Sequence, residues 1–290
     1  MSATPAAYAA RRPVAALLFN AMIWGLTWWP MRALQARGMH PLWATAVIFA
    51  LAVVAIGLWK PRAWRELATQ PTLWLILLAA GTTNACFNWG ITAGDVVRVV
   101  LLFYLMPLWT VVLARLVLHE PVTRAALLRV ALALAGAVLV LWPADGEHLS
   151  QVQPIDLLGL AGGFSFALNN IMLRRESQRS EGGRGLAMFL GGCLVSLVLT
   201  QVLTVPALPP LSAGWLPGVL GLALVYLGSN LALQYGASRL PANVTSVIML
   251  TEVLWAAGSA LALGAGVLTP QLALGGALIV AGAALAALRP

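Results

Sequence analysis

Apolar residues run along this chain in long blocks, and short polar or turn-forming stretches separate them. Each block approaches the ~20 residues that an α-helix needs to cross the hydrocarbon of a bilayer. Ten spans are predicted, at 14–34, 41–59, 72–93, 97–118, 124–142, 155–173, 186–205, 213–236, 243–264 and 269–288. The breaks carry helix-stop chemistry: Gly38 to Pro41, Pro61, Pro71, Gly94-Asp95, Pro121, Pro143 to Gly146, Gly182-Gly183, Pro206 to Pro210, Pro241 and Pro270. The first block follows Arg11-Arg12 as the core of a signal peptide would. It is too long for one and holds Asn20 and Trp24, so it reads as an uncleaved span.

Composition strengthens this picture. Of 290 residues, 61% are hydrophobic and 9% charged, and the mean hydropathy is +0.89. A soluble protein carries about 25% charged residues, so a water-soluble enzyme, a disordered chain and a secreted domain are all excluded. The net charge of +8 and pI near 10.7 would suit a nucleic-acid partner. The cations sit instead in the gaps between apolar blocks, so no nucleic acid is expected and the lipid bilayer is the partner. With the N-terminus in the cytoplasm, 14 of the 17 Lys and Arg fall inside and three, Arg32, Arg37 and Arg98, fall outside. This bias sets the orientation by the positive-inside rule. The predicted outer loop 143–154 agrees, with Asp145 and Glu147 and no Lys or Arg. An even number of spans then leaves both termini cytoplasmic. Cys86 and Cys193 lie in apolar blocks without a metal or disulfide spacing, and no metal or cofactor is expected.

A shift of 146 residues superposes part of the chain on itself. Asn84 falls on Asn230, Trp89 on Tyr235, Gly90 on Gly236, Thr123 on Thr269 and Ala135-Gly136-Ala137 on Ala281-Gly282-Ala283. The halves 1–145 and 146–290 therefore read as five-helix repeats. An odd number of spans inverts the second copy, a common construction in secondary transporters, whose substrate site lies between the repeats near the midplane. Ala- and Gly-rich faces, such as Gly159/Gly163 and Gly214/Gly218, allow close packing. The predicted fold is thus an all-α membrane protein: ten transmembrane helices as two inverted five-helix repeats around a central cavity.

Polar groups inside spans are the candidates for chemistry, because hydrocarbon penalises them. Glu252 is the one carboxylate near the middle of a span. Two roles are open: a proton acceptor or partner for a substrate ammonium, and a protonated carboxyl bonded to a helix backbone. Asn84 and Asn88 stand four apart on one helical face, and Asn230 and Gln234 repeat that spacing. Amides offer donors and acceptors to a zwitterion; helix–helix hydrogen bonding is the alternative for each one. Asn20, Asn169 and Asn170 complete the amides inside the spans. Trp24, Tyr104, Trp109, Phe164, Tyr226 and Trp255 lie deep enough to line an apolar pocket, with plain packing as the alternative. Phe166 and Tyr235 lie at similar depth. Pro107 interrupts the fourth span and is a hinge candidate; the matching stretch of the ninth span carries Glu252 instead.

Ten spans, five-span repeats and Pro107 followed by His119-Glu120-Pro121-Val122-Thr123 resemble the EamA family of the drug/metabolite transporter superfamily. In that family a Gly-Glu-x-hydrophobic-Thr turn typically ends span four. His119 here replaces the Gly, and the second copy, Gly266-Val267-Leu268-Thr269, lacks the Glu. The general resemblance within the family is to the YddG-type exporters of aromatic and other neutral amino acids. It implies a bacterial inner-membrane carrier, for which a monomer suffices, working by alternating access on a small-molecule substrate, expected to be amino acids, with protons as a candidate coupling ion. It also implies a cavity lined by spans 1, 3, 4, 6, 8 and 9. The directional alternative is uptake, or transport of another metabolite or drug. An intramembrane enzyme is disfavoured, because His40, His119 and His148 sit at span ends or in loops. A channel would need a filter or charged ring, and none is seen.

The charge asymmetry yields a topology test. Reporter fusions at Gly146 and Gly182 are expected to report outside and inside, respectively; two inside signals would overturn the orientation.

Overall fold

The computed structural model describes residues 5–93, 96–142, 153–210, 214–263 and 268–288. The predicted breaks at Gly94-Asp95 and Pro143 to Gly146, the acidic Asp145 and Glu147, and Gly266-Val267 lie outside the described residues. Among the described residues the fold is all α-helical. Eight helical segments are long and apolar enough to cross a membrane: Arg11–Gln35, Pro41–Trp59, Val99–Leu118, Arg124–Leu141, Glu181–Val202, Leu216–Ala237, Ala242–Ala262 and Pro270–Leu288.

In chain order the helices are α1 (Pro5–Leu26), α2 (Trp28–Gln35), α3 (Pro41–Trp59), α4 (Arg62–Thr69), α5 (Pro71–Ala93), α6 (Val96–Phe103) and α7 (Met106–Leu113). They continue as α8 (Arg124–Leu141), α9 (Leu157–Arg175), α10 (Glu181–Val202), α11 (Leu216–Ala237), α12 (Ala242–Met249), α13 (Glu252–Ala262) and α14 (Pro270–Leu288). The predicted spans 72–93 and 155–173 form α5 and α9. These two helices carry the interior amides Asn84, Asn88, Asn169 and Asn170, which lower their hydropathy. Helix α4 falls in a stretch expected to be a loop. It is amphipathic, burying Ala63 and Leu67, while Glu66 accepts from the Ser180 N–H at 3.0 Å and the Ser180 hydroxyl. Ser180 in turn caps α10 through Gly183 N.

Several local features recur 146 residues apart. Thr123 caps α8 by accepting from Ala126 N at 3.1 Å, and Thr269 accepts from Leu272 N at 3.1 Å before α14. Helices α6 and α12 each stop after eight residues, and α7 and α13 restart at Met106 and Glu252. Pro107 explains the first interruption. It has no N–H for the Phe103 carbonyl and clashes with that turn, so the helix breaks at Tyr104-Leu105. The second break, at Leu250-Thr251, has no proline. There the Thr251 hydroxyl donates to Ile248 O at 2.7 Å, and the backbone bonds shorten to i→i−3, with Thr251 N on Ile248 O at 3.0 Å. Back-bonding of this kind bends helices.

Packing is reciprocal as well. Helix α9 packs on α5, α6 and α7, while α1 packs on α11, α12 and α13; α8 lies along α14. Small residues make these approaches possible. A Cβ added to Gly136 would lie 2.6 Å from Gly275 O, and one on Gly275 would lie 2.7 Å from Gly136 O. Gly25 brings α1 onto the first turn of α13, where a Cβ would meet Glu252 O at 2.5 Å. Gly163 sits against the Phe103 carbonyl that Pro107 leaves without its helical donor.

The end of α7 winds into a π turn, Ala114–Leu118, and closes at His119 with φ of 57°. The left-handed cap explains why glycine is the residue typical of that turn. Relieving it is expected to stabilise: His119→Gly should gain about 1 kcal/mol, read as a small rise in Tm. Gly136→Leu should instead lose about 1–3 kcal/mol by overpacking. Gly221→Leu, inside α11 at a position with open space around the added Cβ, is the matched control and should not lower Tm, because a side chain there meets no neighbour and favours the helix.

Candidate functional site

Helices α1, α5, α6, α9, α10, α11, α12 and α13 meet around a cavity lined by Trp24, Ala80, Thr83, Asn84, Phe87, Phe103, Phe166, Asn169, Met188, Asn230, Leu233, Met249 and Glu252. The cavity offers water about 50 Å³, room for a few molecules. Small-molecule sites commonly occupy about 300–1,000 Å³, so the cavity is smaller in this structure than such a site.

The lining repeats the 146-residue relation. Asn84 pairs with Asn230, Phe87 with Leu233 and Phe103 with Met249. The two amides are even held alike. Asn84 Nδ2 donates to Ala80 O at 2.8 Å, and Asn230 Nδ2 donates to Tyr226 O at 2.9 Å, each one turn back on its own helix. Thr83 spends its hydroxyl proton on Ala79 O at 2.7 Å. The buried Asn169 contributes an Oδ1 with no hydrogen-bond partner.

The two helix breaks converge here. Glu252, first residue of α13, lines the cavity, and the buried Tyr104, at the break between α6 and α7, hydrogen-bonds its carboxyl. On the opposite wall Trp24 stacks on Tyr226 with ring centroids 4.9 Å apart. Phe87, Phe103 and Phe166 form a continuous aromatic wall, with Phe103 4.9 Å from Phe87 and 5.8 Å from Phe166.

Of the residues singled out in the sequence, Trp24, Asn84, Asn230 and Glu252 line this cavity. Tyr104 and Tyr226 lie one layer behind, supporting Glu252 and Trp24. Asn88 turns away, donating to Thr45 Oγ1 at 2.5 Å and joining α5 to α3. Gln234 is buried among helices one turn beyond Asn230, outside the lining, and its amide finds no partner. Trp109 and Phe164 pack edge to face at 5.6 Å, with Phe164 turned outward. Trp255 lines a separate apolar groove between α1, α13 and α14, with Leu18, Leu26 and Val280. Helical spacing put the second amide of each pair on the same face, but a four-residue step rotates it far enough to meet a neighbouring helix. Asn169 and Phe166, named in the sequence only as interior groups, also line the cavity, and Phe87 and Phe103 are the main residues missed. Applying the 146-residue shift to the amides' neighbours would have found Phe87 with Leu233, and Phe103 with Met249.

At the far end of the bundle, Glu120 accepts from Ala242 N at 3.3 Å and faces Arg174 at 3.9 Å. Arg174 donates to Ser238 O at 3.0 Å. The turn after α7 is thus tied to the ends of α9, α11 and α12.

Residues 11–142 match the profile of the EamA-like transporter family. That family consists of membrane transporters of small molecules, and its match together with eight long apolar helices makes the chain a multi-pass membrane protein with a lipid bilayer around it. A solved structure described only as "Crystal structure of protein" is similar with a TM-score of 0.75 at 21% identity. The match covers 94% of this chain and 95% of that one, and it shows that the two share a fold over nearly their whole lengths. No curated protein matches the chain.

The placement of the amides can be checked by accessibility. With Cys86 and Cys193 replaced by Ala, Thr83→Cys and Leu233→Cys should react with a small water-soluble thiol reagent, whereas Gln234→Cys should be protected. Equal labelling of all three would show that the cavity extends beyond Asn230.

Proposed function

We propose that the chain is a secondary transporter that exports small amphipathic metabolites bearing an ammonium group, neutral and aromatic amino acids among them. In this reading residues 1–145 and 146–290 are inverted five-helix repeats, ten spans in all, and the carrier works by alternating access. It sits in the bacterial inner membrane as a monomer with both termini cytoplasmic. The observation that carries this is the cavity itself. A carboxylate, three amides and four aromatic side chains converge where two broken helices meet. Non-helical backbone at membrane depth is tolerated where it lines a cavity, and discontinuous helices of this kind form transporter sites.

The two breaks serve as hinges, with Pro107 fixing the first. The Glu120–Arg174 link closes the cytoplasmic end in this conformation and must part for access from that side. Glu252 is the coupling residue and exchanges protons during the cycle. The titratable groups that face it are Tyr104 and Tyr226.

Radiolabelled neutral amino acids in proteoliposomes of known orientation, with and without a pH gradient, test this reading. Saturable flux is expected, and Glu252→Gln should abolish its pH dependence while the protein remains folded. Pro107→Ala should lower the turnover rate more than the affinity. Flux that is linear in concentration, or a pH dependence unaffected by Glu252→Gln, would overturn the mechanism.

A further inference from the structure

The polar groups of the cavity are weighted towards acceptors. A carbonyl oxygen only accepts, so the atom of Asn84 at 2.8 Å from Ala80 O is its nitrogen, and the same holds for Asn230 at 2.9 Å from Tyr226 O. Each amide thereby has one N–H committed to its own helix and its oxygen left free of that bond. The Thr83 proton is committed in the same way. Asn169, 2% exposed, adds an oxygen without a partner, and Glu252 adds a carboxyl group. Among the described residues no Lys, Arg or His lines the cavity. The donors that remain on the lining side chains, the Trp24 indole N–H and the amide N–H groups not committed to their own helices, are all neutral.

We propose that this cavity selects ligands that carry a free ammonium without a carboxylate, aromatic and alkyl primary amines, over the corresponding zwitterionic amino acids. The inference rests on the carrier reading above and narrows its substrate class. An ammonium has three protons to donate, and the lining supplies Asn84 Oδ1, Asn169 Oδ1, Asn230 Oδ1 and Glu252 to receive them. The faces of Trp24, Phe87, Phe103 and Phe166 attract a cation as well as an apolar side chain. A zwitterion would bring a carboxylate into the same space. It would leave water without a cationic partner, close to Glu252, and a buried charge without a partner is heavily penalised. Sites discriminate most strongly when the wrong ligand leaves a polar group unpaired.

Four probes share one ring and differ in charge: phenethylamine, L-phenylalanine, L-phenylalaninamide and 3-phenylpropionate. Titration calorimetry on the full chain in lipid nanodiscs is expected to show phenethylamine and phenylalaninamide binding at least ~10-fold more tightly than phenylalanine, with phenylpropionate the weakest, the order that an unpaired carboxylate imposes. Glu252→Gln should weaken the two amines by a further ~10-fold, the scale of a lost charged partner. Asn169→Leu, which keeps the carboxylate, should weaken them less and guards against a Glu252 variant that fails to fold. Phenylalanine or phenylpropionate binding as tightly as phenethylamine would overturn the amine selectivity. So would a failure of phenethylamine to bind. The carrier reading is judged separately by flux: if proteoliposome transport of an amino acid depends on Asn84 and Trp24 while the amines are not preferred, the carrier stands and the selectivity falls. If no flux depends on either residue, both fall.

Discussion

Hydrocarbon offers no hydrogen bonds to a peptide backbone, and each amide or carbonyl left without an internal partner costs several kcal/mol. Every other feature of this protein is arranged around that constraint. The long helices satisfy it by their own ladders. The interruptions between α6 and α7 and between α12 and α13 occur where the backbone faces protein and a cavity. At the first, Pro107 removes a donor, and Gly163 of α9 closes over the carbonyl left behind. At the second, a threonine hydroxyl and i→i−3 bonds absorb the change. The same constraint governs side chains: Asn84, Asn230, Thr83 and Thr110 each return a proton to a carbonyl four residues earlier.

The two halves agree in their framework and differ in their chemistry. Helix caps, break positions, amide bonds and the Phe87/Leu233 and Phe103/Met249 positions recur at a fixed interval. The side chains at the breaks do not. One break carries Pro107, the other Glu252, and Tyr104 from the first reaches the carboxyl of the second. In the carrier reading proposed above, this repeated framework is what the two halves would rock upon. Asymmetry at the site gives it a single carboxyl group, with Trp24 and its partner Tyr226 on the opposite wall. The end of α7 shows asymmetry of another kind: Glu120 ties to Ala242 N and Arg174, and the second copy has no acidic residue to do the same.

Close packing explains how polar groups reach such a site in a chain this apolar. Gly25, Gly81, Gly136, Gly163 and Gly275 bring helix backbones together where any side chain would collide with a main-chain atom. In a bilayer, where lipid is as apolar as leucine, this contact and interhelical hydrogen bonds replace the hydrophobic effect as the force that assembles helices. The bond from Asn20 to Ser229 and that from Asn88 to Thr45 are of this kind. They show why a buried amide is as often a strut as a ligand.

The sequence by itself determined the class of protein, the positions of the helices, the 146-residue interval and the identities of Glu252, Asn84, Asn230 and Trp24 as interior groups. Each is a local or periodic property: block length, proline position, a polar residue in an apolar run. It did not determine which interior groups meet. Asn88, Gln234, Trp109, Phe164 and Trp255 have the same credentials in sequence, yet the tertiary structure sends them to α3, to the spaces between helices or to the outer surface. Helix α4, the π turn at Ala114–Leu118 and the left-handed His119 likewise emerged only from the fold. The reason is rotational. A helix presents a new face every 100°, and its rotation about its own axis is set by the glycines and carbonyls of its neighbours, which a linear reading of the chain does not contain.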